Sequence, residues 1–322
     1  MTPPVVVGSA SRDLTADDPR GWRLGGAVTY AGLVLARLGL RPRLLIGVDA
    51  PASGAGELEW LRQAGADVRL VRLDEGPVFT NHDTPAGRAQ ICTTPGVPLP
   101  VAAIPTDWLT ATTWFLVPVA DEIDDSWAAV PPDEALVVIG WQGLLRLLPR
   151  GGMVARRPPH ASGLMKRAGL VGMSRDDVDP ELSGKAILAM LRAPVTLAIT
   201  NASEGGLLIS VDHAGRHSVR RYPAIATDDL VDATGAGDAF LAGLVAGRLG
   251  HPLAGSGRRG SDVRLAAALG SLVVERPGLL GVPTMAAVAE RLRRSLTKSA
   301  GPTAPTASTA STAPAAPTEP PG

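Results

Sequence analysis

The stretch that decides the fold spans residues 228–240 and reads Asp228-Asp229-Leu230-Val231-Asp232-Ala233-Thr234-Gly235-Ala236-Gly237-Asp238-Ala239-Phe240. Two glycines stand where a loop enters a helix, and Asp238 falls in the first helical turn. Exposed N–H groups and the positive dipole end make such a helix start an anion site, most often for phosphate. A carboxylate there would repel phosphate, so we expect Asp238 to take a proton from an attacking hydroxyl. A glycine turn capped by Asp238 is the simpler alternative.

The composition is that of a globular protein, with 322 residues, 45% of them hydrophobic and 19% charged. The net charge is zero and aromatic residues make up 3%, which argues against a nucleic-acid or anionic-membrane surface. Cys92 is the only cysteine, so neither an intrachain disulfide nor a cysteine zinc site is possible. Residues 1–20 lack a signal-peptide pattern, and the apolar stretch 27–40 is too short to span a membrane. We therefore expect a soluble, cytoplasmic protein.

Strand-like and helix-like segments alternate along most of the chain. Compact apolar runs predict strands at 5–7, 43–47, 136–139, 170–172 and 195–199, and helical patterns cover 27–38, 57–64, 183–191, 262–274 and 285–296. This alternation predicts a parallel sheet covered on both faces. Segments 9–24 and 78–94 break the rhythm and would suit a small lid. We expect one domain over residues 1–298 and a disordered Pro/Ala/Thr/Ser-rich tail over 299–322.

Two motifs resemble one known family. The string Asp232-x-Thr234-Gly235-Ala236-Gly237-Asp238-x-Phe240 resembles the C-terminal signature of the ribokinase-like (PfkB-type) carbohydrate kinases. The segments 24–27 and 36–39, LGGA and ARLG, resemble the N-terminal signature. The resemblance implies a three-layer αβα sandwich with a mainly parallel sheet and a small β lid. It also implies that Asp238 is the catalytic base and that Gly235, Ala236 and Gly237 form the anion hole.

The same resemblance suggests roles for further residues. Substrate would be held by Asp13, Gly25, Gly26, Asn81, Arg88 and Gln142. The phosphoryl donor would be held by Thr200, Gly205, Thr234, Gly235 and Gly237. Magnesium would bind Asp177 through water, and a monovalent cation would bind near Asp232. Each polar residue has a structural alternative: Asp13 as a turn residue, the lid residues as solvent-facing, and Asp177 as a helix cap.

Four positions depart from the family pattern. Tyr30 stands where many members carry Asn, and Ala202 stands where the family has the first glycine of Thr-x-Gly-x-x-Gly. Ser174 and the shorter Asp177 stand where the family has the Asn and the Glu of its Asn-x-x-Glu motif. The resemblance as a whole implies a kinase that uses ATP, Mg²⁺ and K⁺ to phosphorylate a sugar or polyol, and that forms a homodimer through the lid.

Other functions remain open. A nucleoside kinase would need an aromatic face for the base, for which Phe79, Trp22 and Trp141 are the nearby candidates. A non-catalytic sugar- or nucleotide-binding homologue is another possibility, favoured mildly by Ser174 and Ala202. A dehydrogenase is disfavoured because no G-x-G-x-x-G follows the first strand, and no P-loop motif is present.

Overall fold

The computed structural model describes residues 2–84, 87–255 and 260–299, without the side chains of 83, 84, 87, 88 and 297–299. Within these ranges the strands are β1 Val5–Ser9, β2 Ser11–Leu14, β3 Trp22–Gly25, β4 Arg43–Val48, β5 Asp67–Arg72, β6 Val78–Thr84, β7 Gly87–Thr94, β8 Thr113–Leu116, β9 Leu136–Gly140, β10 Arg146–Leu147, β11 Gly152–Met153, β12 Ala155–Arg156, β13 Leu170–Ser174, β14 Val195–Thr200, β15 Gly206–Val211 and β16 His217–Tyr222. The α-helices are α1 Ala27–Arg37, α2 Glu57–Gln63, α3 Gly163–Arg167, α4 Gly184–Leu188, α5 Ala236–Arg248, α6 Ser261–Val273 and α7 Met285–Ser299.

The central sheet has nine strands in the order β16-β15-β14-β13-β9-β8-β1-β4-β5. The strands from β14 to β5 pair in parallel, and the β15–β16 hairpin adds an antiparallel edge. Parallel strands covered on both faces need near-continuous apolar runs, and the predicted strands lie at those runs. The mainly parallel sheet predicted from the alternating pattern is therefore observed.

Each face of the sheet carries its own apolar layer. On one face, α1, α5 and α6 pack into a core that includes Tyr30, Phe115 and Phe240. On the other face, four buried tryptophans dominate the packing: Trp108, Trp114, Trp127 and Trp141. The result is the three-layer αβα arrangement, and the carboxyl ends of its parallel strands form one edge where loops can gather.

A second sheet lies over that edge, in the order β11-β7-β6-β2-β3. It is built from the two segments predicted as a lid, with the short β11 as a fifth strand that the sequence did not reveal. Asp13 pairs with Phe79, and Asn81 pairs with Gln90, so strand alternation puts these four residues on one face. On that face Phe79 and Cys92 pack against Val119 and Ala120. The polar residues of the face are thus turned toward the central sheet.

Two expectations on secondary structure need correction or restriction. The helix predicted over 183–191 ends at Leu188, because the backbone then tightens: Met190 N–H donates to Ile187 O and Leu191 N–H to Leu188 O, three residues back in each case. The predicted tail 299–322 lies outside the described residues except for Ser299, which ends α7. In the part of the chain that is described, no helix is both long enough and apolar enough to cross a membrane.

Candidate active site

The glycine-rich loop enters α5 as the sequence predicts. Gly235 is the N-cap residue and adopts the left-handed backbone, with φ 81°. The Ala236 N–H makes one long hydrogen bond of 3.4 Å to Ala233 O. Among the described residues no acceptor is found for the N–H groups of Gly237 and Asp238, so these two groups are placed to receive an anion.

The two glycines of the loop have different surroundings. A Cβ built at Gly235 would lie 2.2 Å from Cδ1 of Tyr30, so the buried tyrosine ring packs directly against this backbone. A Cβ built at Gly237 would meet no atom within 4 Å, and Gly237 is exposed. Tyr30, which departs from the family pattern, therefore packs against the core-facing side of the loop. Gly237 leaves open space on the exposed side of the loop.

The Asp238 side chain projects from the first turn of α5, and the residue is half-buried. Burial raises the pKa of its carboxyl from 3.8 to about 6; the positive charge of Arg146 acts against this and the negative charge of Asp177 adds to it. A carboxylate with a pKa near 6 is deprotonated at neutral pH and is a better proton acceptor than an ordinary aspartate. The electrostatics therefore suit a general base.

Asp177 lies close enough to Asp238 for their charges to interact. One carboxylate oxygen accepts from Ser174 N–H at 2.7 Å and the other from Gln142 Nε2 at 3.2 Å. With the Ser174 side chain it forms a capping box on the turn Arg175–Asp177, so the helix-cap role considered for Asp177 is seen in the structure. Burial raises the pKa of Asp177 as well. The predicted substrate residue Gln142 thus contacts the predicted metal residue.

Arg146 is one of two site residues that sequence reasoning missed. It is the first residue of β10 and pairs with Arg156 of β12. Its positive charge partly offsets the burial that raises the pKa of Asp177 and of Asp238, so its guanidinium lies within electrostatic range of both carboxylates. The available signal was a basic residue a few positions beyond the carboxyl end of the strand at 136–139, next to Gln142. Beside a phosphoryl group it could neutralise developing negative charge.

Asp13 of β2 and the glycines before α1, all predicted to bind the substrate that receives the phosphoryl group, lie together. The Asp13 carboxylate accepts a 3.0 Å hydrogen bond from Ser11 Oγ, and a Cβ built at Gly25 would lie 2.4 Å from Asp13 Oδ2. Gly25 therefore allows Asp13 to lie against the backbone, and Gly26 is the N-cap residue of α1. Ser11, which the sequence did not single out, belongs to this cluster.

The lid contributes an amide pair. Gln90 Nε2 donates to Asn81 Oδ1 at 2.8 Å, and both residues are half-buried. They share the sheet face of Asp13, as the strand register shows. Arg88 lies in β7, but its side chain is outside the described part, so the expected role of Arg88 stays a prediction.

The predicted donor segment follows β14. Thr200 ends that strand, with its Oγ1 donating to Met173 O at 3.4 Å. Ala202 takes a positive φ of 41°, a backbone that glycine adopts more readily than alanine, and Gly205 closes the turn with φ 87°. Donor binding by Thr200 and Gly205 stays a prediction.

Asp232 joins two loops. One carboxylate oxygen accepts from Thr234 N–H at 3.0 Å and from Thr234 Oγ1 at 2.6 Å, and the other accepts from Gly278 N–H at 3.0 Å. The carboxylate thus orders the turn before Gly235 and fixes it to the loop after α6. A monovalent cation at Asp232 stays a prediction.

The residues fit magnesium only as a partly hydrated ion. In the described ranges, no group of three His, Cys, Asp or Glu side chains could enclose a metal. Mg²⁺ is commonly bound by one or two carboxylates, waters and substrate phosphates, and Asp177 beside Asp238 provides that donor set.

Comparison with known proteins is consistent with this geometry. Residues 168–285, which contain the glycine-rich loop, match the model of the pfkB family carbohydrate kinases. The predicted resemblance is confirmed. Comparison with the curated proteins by sequence gives no match.

Solved structures show the ribokinase fold over nearly the whole chain. A pyrophosphate-dependent kinase in the ribokinase family, complexed with a pyrophosphate analog and myo-inositol, superimposes with a TM-score of 0.68 at 16% identity, covering 90% of this chain and 99% of that one. Ribokinase from Thermotoga maritima gives 0.64 at 14% identity, with coverage of 90% and 99%. The nucleoside kinase of Methanocaldococcus jannaschii gives 0.62 at 16% identity, with coverage of 91% and 99%. At such identities the likeness establishes a ribokinase-like fold. The reaction has to be inferred from the residues of this chain.

Proposed function

We propose that the protein is a kinase that transfers the γ-phosphoryl group of ATP to a hydroxyl of a small sugar or polyol. The observation that carries the proposal is Asp238, whose pKa is raised to about 6 chiefly by burial, next to the N–H groups of the α5 start. A proton acceptor and an anion site at one helix terminus are the two requirements of phosphoryl transfer to an alcohol.

In the proposed reaction Asp238 accepts the proton of the acceptor hydroxyl. The acceptor oxygen then bonds to the γ-phosphorus as the bond from that phosphorus to the bridging oxygen breaks, and ADP leaves with the electron pair. The N–H groups of Gly237 and Asp238 hold the developing negative charge, and Arg146 adds a positive charge from β10. Magnesium bound near Asp177 would neutralise charge on the donor phosphates.

The acceptor cluster favours a polyhydroxylated substrate. Asp13 can accept hydrogen bonds from two neighbouring hydroxyls, and the Asn81–Gln90 amides offer both donors and acceptors on the same lid face. The alternative, a nucleoside kinase, would need an accessible aromatic face. Phe79 is buried in the lid cluster with Cys92, and Trp141 is buried in the apolar layer on one face of the central sheet. Trp22 has the guanidinium groups of Arg12 and Arg20 over its ring. These contacts support a sugar or polyol over a nucleoside.

The donor is proposed to be ATP, bound by Thr200, Gly205, Thr234 and the glycine-rich loop. Pyrophosphate must be tested beside it, because at least three of the similar structures are of pyrophosphate-dependent kinases. A non-catalytic binding protein would have no need of a carboxylate with a raised pKa at the anion site. A single, buried cysteine suits the reducing cytoplasm, where we propose that the enzyme works.

We also propose a homodimer formed through the lid. Met153 in the short strand β11, at one edge of the lid sheet, is 55% exposed, which leaves an apolar side chain where a second lid could pack. Light scattering after size-exclusion chromatography should give twice the chain mass, and Met153→Glu should shift the protein toward the monomer. A monomeric wild type would remove this part of the proposal.

The function is tested by a coupled assay over sugars, polyols including inositols, and nucleosides, with either ATP or pyrophosphate as donor. We expect turnover with at least one sugar or polyol, and loss of that turnover in Asp238→Asn. If only nucleosides were phosphorylated, the proposed acceptor would have to be changed from a sugar or polyol to a nucleoside. If only pyrophosphate supported turnover, the proposed donor would have to be changed from ATP to pyrophosphate. Binding of a sugar without turnover in any arm would favour the non-catalytic alternative.

A further inference from the structure

The segment 226–234 leads into the anion site but has little burial of its own. Residues 227–231 are exposed, and the apolar Leu230 and Val231 keep 67% and 51% of their surface in contact with solvent. A segment with so few apolar contacts is expected to open easily unless polar contacts hold it. Its position therefore depends on hydrogen bonds to its neighbours.

One buried guanidinium supplies several of these bonds. Arg291 of α7 is 5% exposed. Its Nη1 donates to Ala226 O at 2.9 Å and to Ser271 Oγ at 3.0 Å, and its Nη2 donates to Glu275 Oε1 at 2.6 Å and to Asp228 Oδ2 at 3.2 Å. Arg291 thus ties the segment to both C-terminal helices. A planar guanidinium is suited to this because its donors have fixed directions.

Two further residues complete what we call the α7 clamp, defined as Arg291, Arg294 and Glu275. Glu275 Oε1 also accepts from Asp228 N–H at 2.7 Å and from Thr227 Oγ1 at 3.0 Å. Arg294 donates to both carboxylate oxygens of Asp228, at 2.8 and 2.9 Å. The clamp therefore holds the backbone and the side chain of the segment at residues 226–228.

A continuous set of hydrogen bonds links the clamp to the anion site. Val231 N–H and Asp232 N–H both donate to Val274 O, at 2.8 and 3.0 Å, one residue before Glu275. The Asp232 carboxylate then bonds Thr234 and Gly278, as described above. Thr234 directly precedes Gly235, the N-cap residue of α5. The segment is consequently fixed at its start, middle and end, and all three attachments lie on the α6–α7 side.

We propose that Arg291 is a positioning residue for phosphoryl transfer, acting through the α7 clamp on the N–H groups and the carboxylate at residues 237–238. The inference rests on the proposed kinase function. Charge stabilisation at an anion site depends on donors that are already in place, and small displacements of reacting groups reduce rate strongly. Loosening the clamp should therefore lower turnover without touching the acceptor site at Asp13.

The test compares Arg291→Gln and Asp228→Asn with Arg293→Gln as the matched control. Arg293 is an exposed arginine of the same helix whose carboxylate partner is Glu290 of that helix. We expect Arg291→Gln to lower kcat about 10-fold or more, while the acceptor KM stays within about twofold. Arg291→Lys, which keeps the charge but has fewer donors, should recover part of kcat. Asp228→Asn should lower kcat less, and Arg293→Gln should not change it.

Amide hydrogen exchange provides a second readout that does not require turnover. In Arg291→Gln the amides of 227–238 should exchange at least about tenfold faster than in the wild type, while those of β1 and β4 are unchanged. An unchanged kcat in Arg291→Gln or, if that variant does not fold, in the surface variant Asp228→Asn would overturn the inference. So would a rise in the acceptor KM equal to the fall in kcat. Inactivity of the wild type and of Arg293→Gln would instead overturn the proposed function itself.

Discussion

At the scale of single residues, the protonation of Asp238 should set the pH dependence of the reaction. Burial raises its pKa to about 6, so the proton-accepting form is lost as the pH falls through this value. We expect kcat/KM to be level near neutral pH and to fall about tenfold per pH unit below 6, because that ratio reports groups in the free enzyme. A rate profile from pH 5 to 8 measures this. Asp238→Asn should lose at least ~10²-fold in kcat and lose the acidic limb.

The charges of Asp177 and Arg146 should move the acidic limb of the pH–rate profile in opposite directions. Asp177 raises the pKa of Asp238, so Asp177→Asn should shift the limb to lower pH; Arg146 lowers it, so Arg146→Gln should shift the limb to higher pH. Arg146→Gln should also reduce kcat, since a positive charge beside the phosphoryl group is lost. Arg150→Gln is the matched control, because Arg150 is exposed and pairs with Glu75. Shifts of equal sign in the Asp177 and Arg146 variants would contradict this electrostatic account.

The two glycines of the loop should respond differently to alanine. Gly237→Ala places a methyl group in open space above the anion site, so the protein should fold normally and lose phosphoryl transfer. Gly235→Ala meets the Tyr30 ring and requires a positive φ, so it should lower the melting temperature as well. Thermal unfolding and kcat, measured on both variants, separate these outcomes. A fully active Gly237→Ala enzyme would remove the assigned anion site.

Among single residues, the sequence predicted those whose positions are set by the local backbone. Gly235, Gly237 and Asp238 are neighbours in the chain, so their pattern was readable and their arrangement was predicted. Arg146 was not predicted, because its position depends on the two-residue strand β10 and its pairing with β12, which are too short to be recognised in the sequence. Ser11 was also missed, although it lies two residues before Asp13 in β2 and therefore on the same face of that strand.

At the scale of elements, the turn after β14 carries a residue that is unfavourable for its backbone. Ala202 has φ 41°, a conformation that costs a non-glycine residue about 1–2 kcal/mol. Ala202→Gly removes that cost but adds chain entropy in the unfolded state, for a net gain of roughly 0.5–1 kcal/mol. The melting temperature should rise by about 1–3 °C.

The matched control for this prediction is Ala214→Gly. Ala214 lies in the exposed β15–β16 turn and does not have a positive φ, so its replacement by glycine should not stabilise the protein. Equal effects in the two variants would show that the backbone of Ala202 is not strained. The comparison also tests whether Ala202 reduces donor binding, because the acceptor KM and the donor KM are measured on the same variants.

Long apolar elements were predicted well and short ones were not. The buried strands β1, β4, β9, β13 and β14 and the helices α1, α5, α6 and α7 have enough consecutive residues to be recognised. The buried strand β8 has four residues and was not predicted. The strands β10, β11 and β12 have two residues each, too few for any alternation to be visible. The segment 78–94, which contains the lid strands β6 and β7, was recognised because it breaks the alternation of strands and helices.

At the scale of the whole molecule, the residues proposed to bind the acceptor and those proposed to bind the donor belong to different parts of the chain. The acceptor cluster at Asp13 belongs to the lid, whereas the donor segment after β14 and the α5 start belong to the central sheet. The lid strands β2 and β3 are held to the central layer by two ion pairs, Arg12 with Asp49 and Arg20 with Glu57. The residues joined by these ion pairs are far apart in sequence, so the motifs alone could not show which residues contact one another.

Because the proposed acceptor and donor residues lie in different parts of the chain, a mutation in the lid should change the acceptor KM and not the donor KM. Asp13→Ala removes a charge-assisted acceptor for substrate hydroxyls, a loss of about 1.5–3 kcal/mol, or roughly 10- to 150-fold in the acceptor KM. The donor KM should stay nearly constant, because the donor is held by the central sheet. Initial rates measured with each substrate varied in turn give both constants.

The matched control is Asp17→Ala, which removes another carboxylate from the connection between β2 and β3. Asp17 is exposed and forms a 3.6 Å ion pair with Arg23. We expect Asp17→Ala to leave both KM values unchanged, since a surface ion pair contributes little. If Asp13→Ala raised both KM values by the same factor, Asp13 would act by holding the lid in place rather than by binding the acceptor. The substrate site would then have to be sought among the Asn81–Gln90 pair and the residues around Gln142.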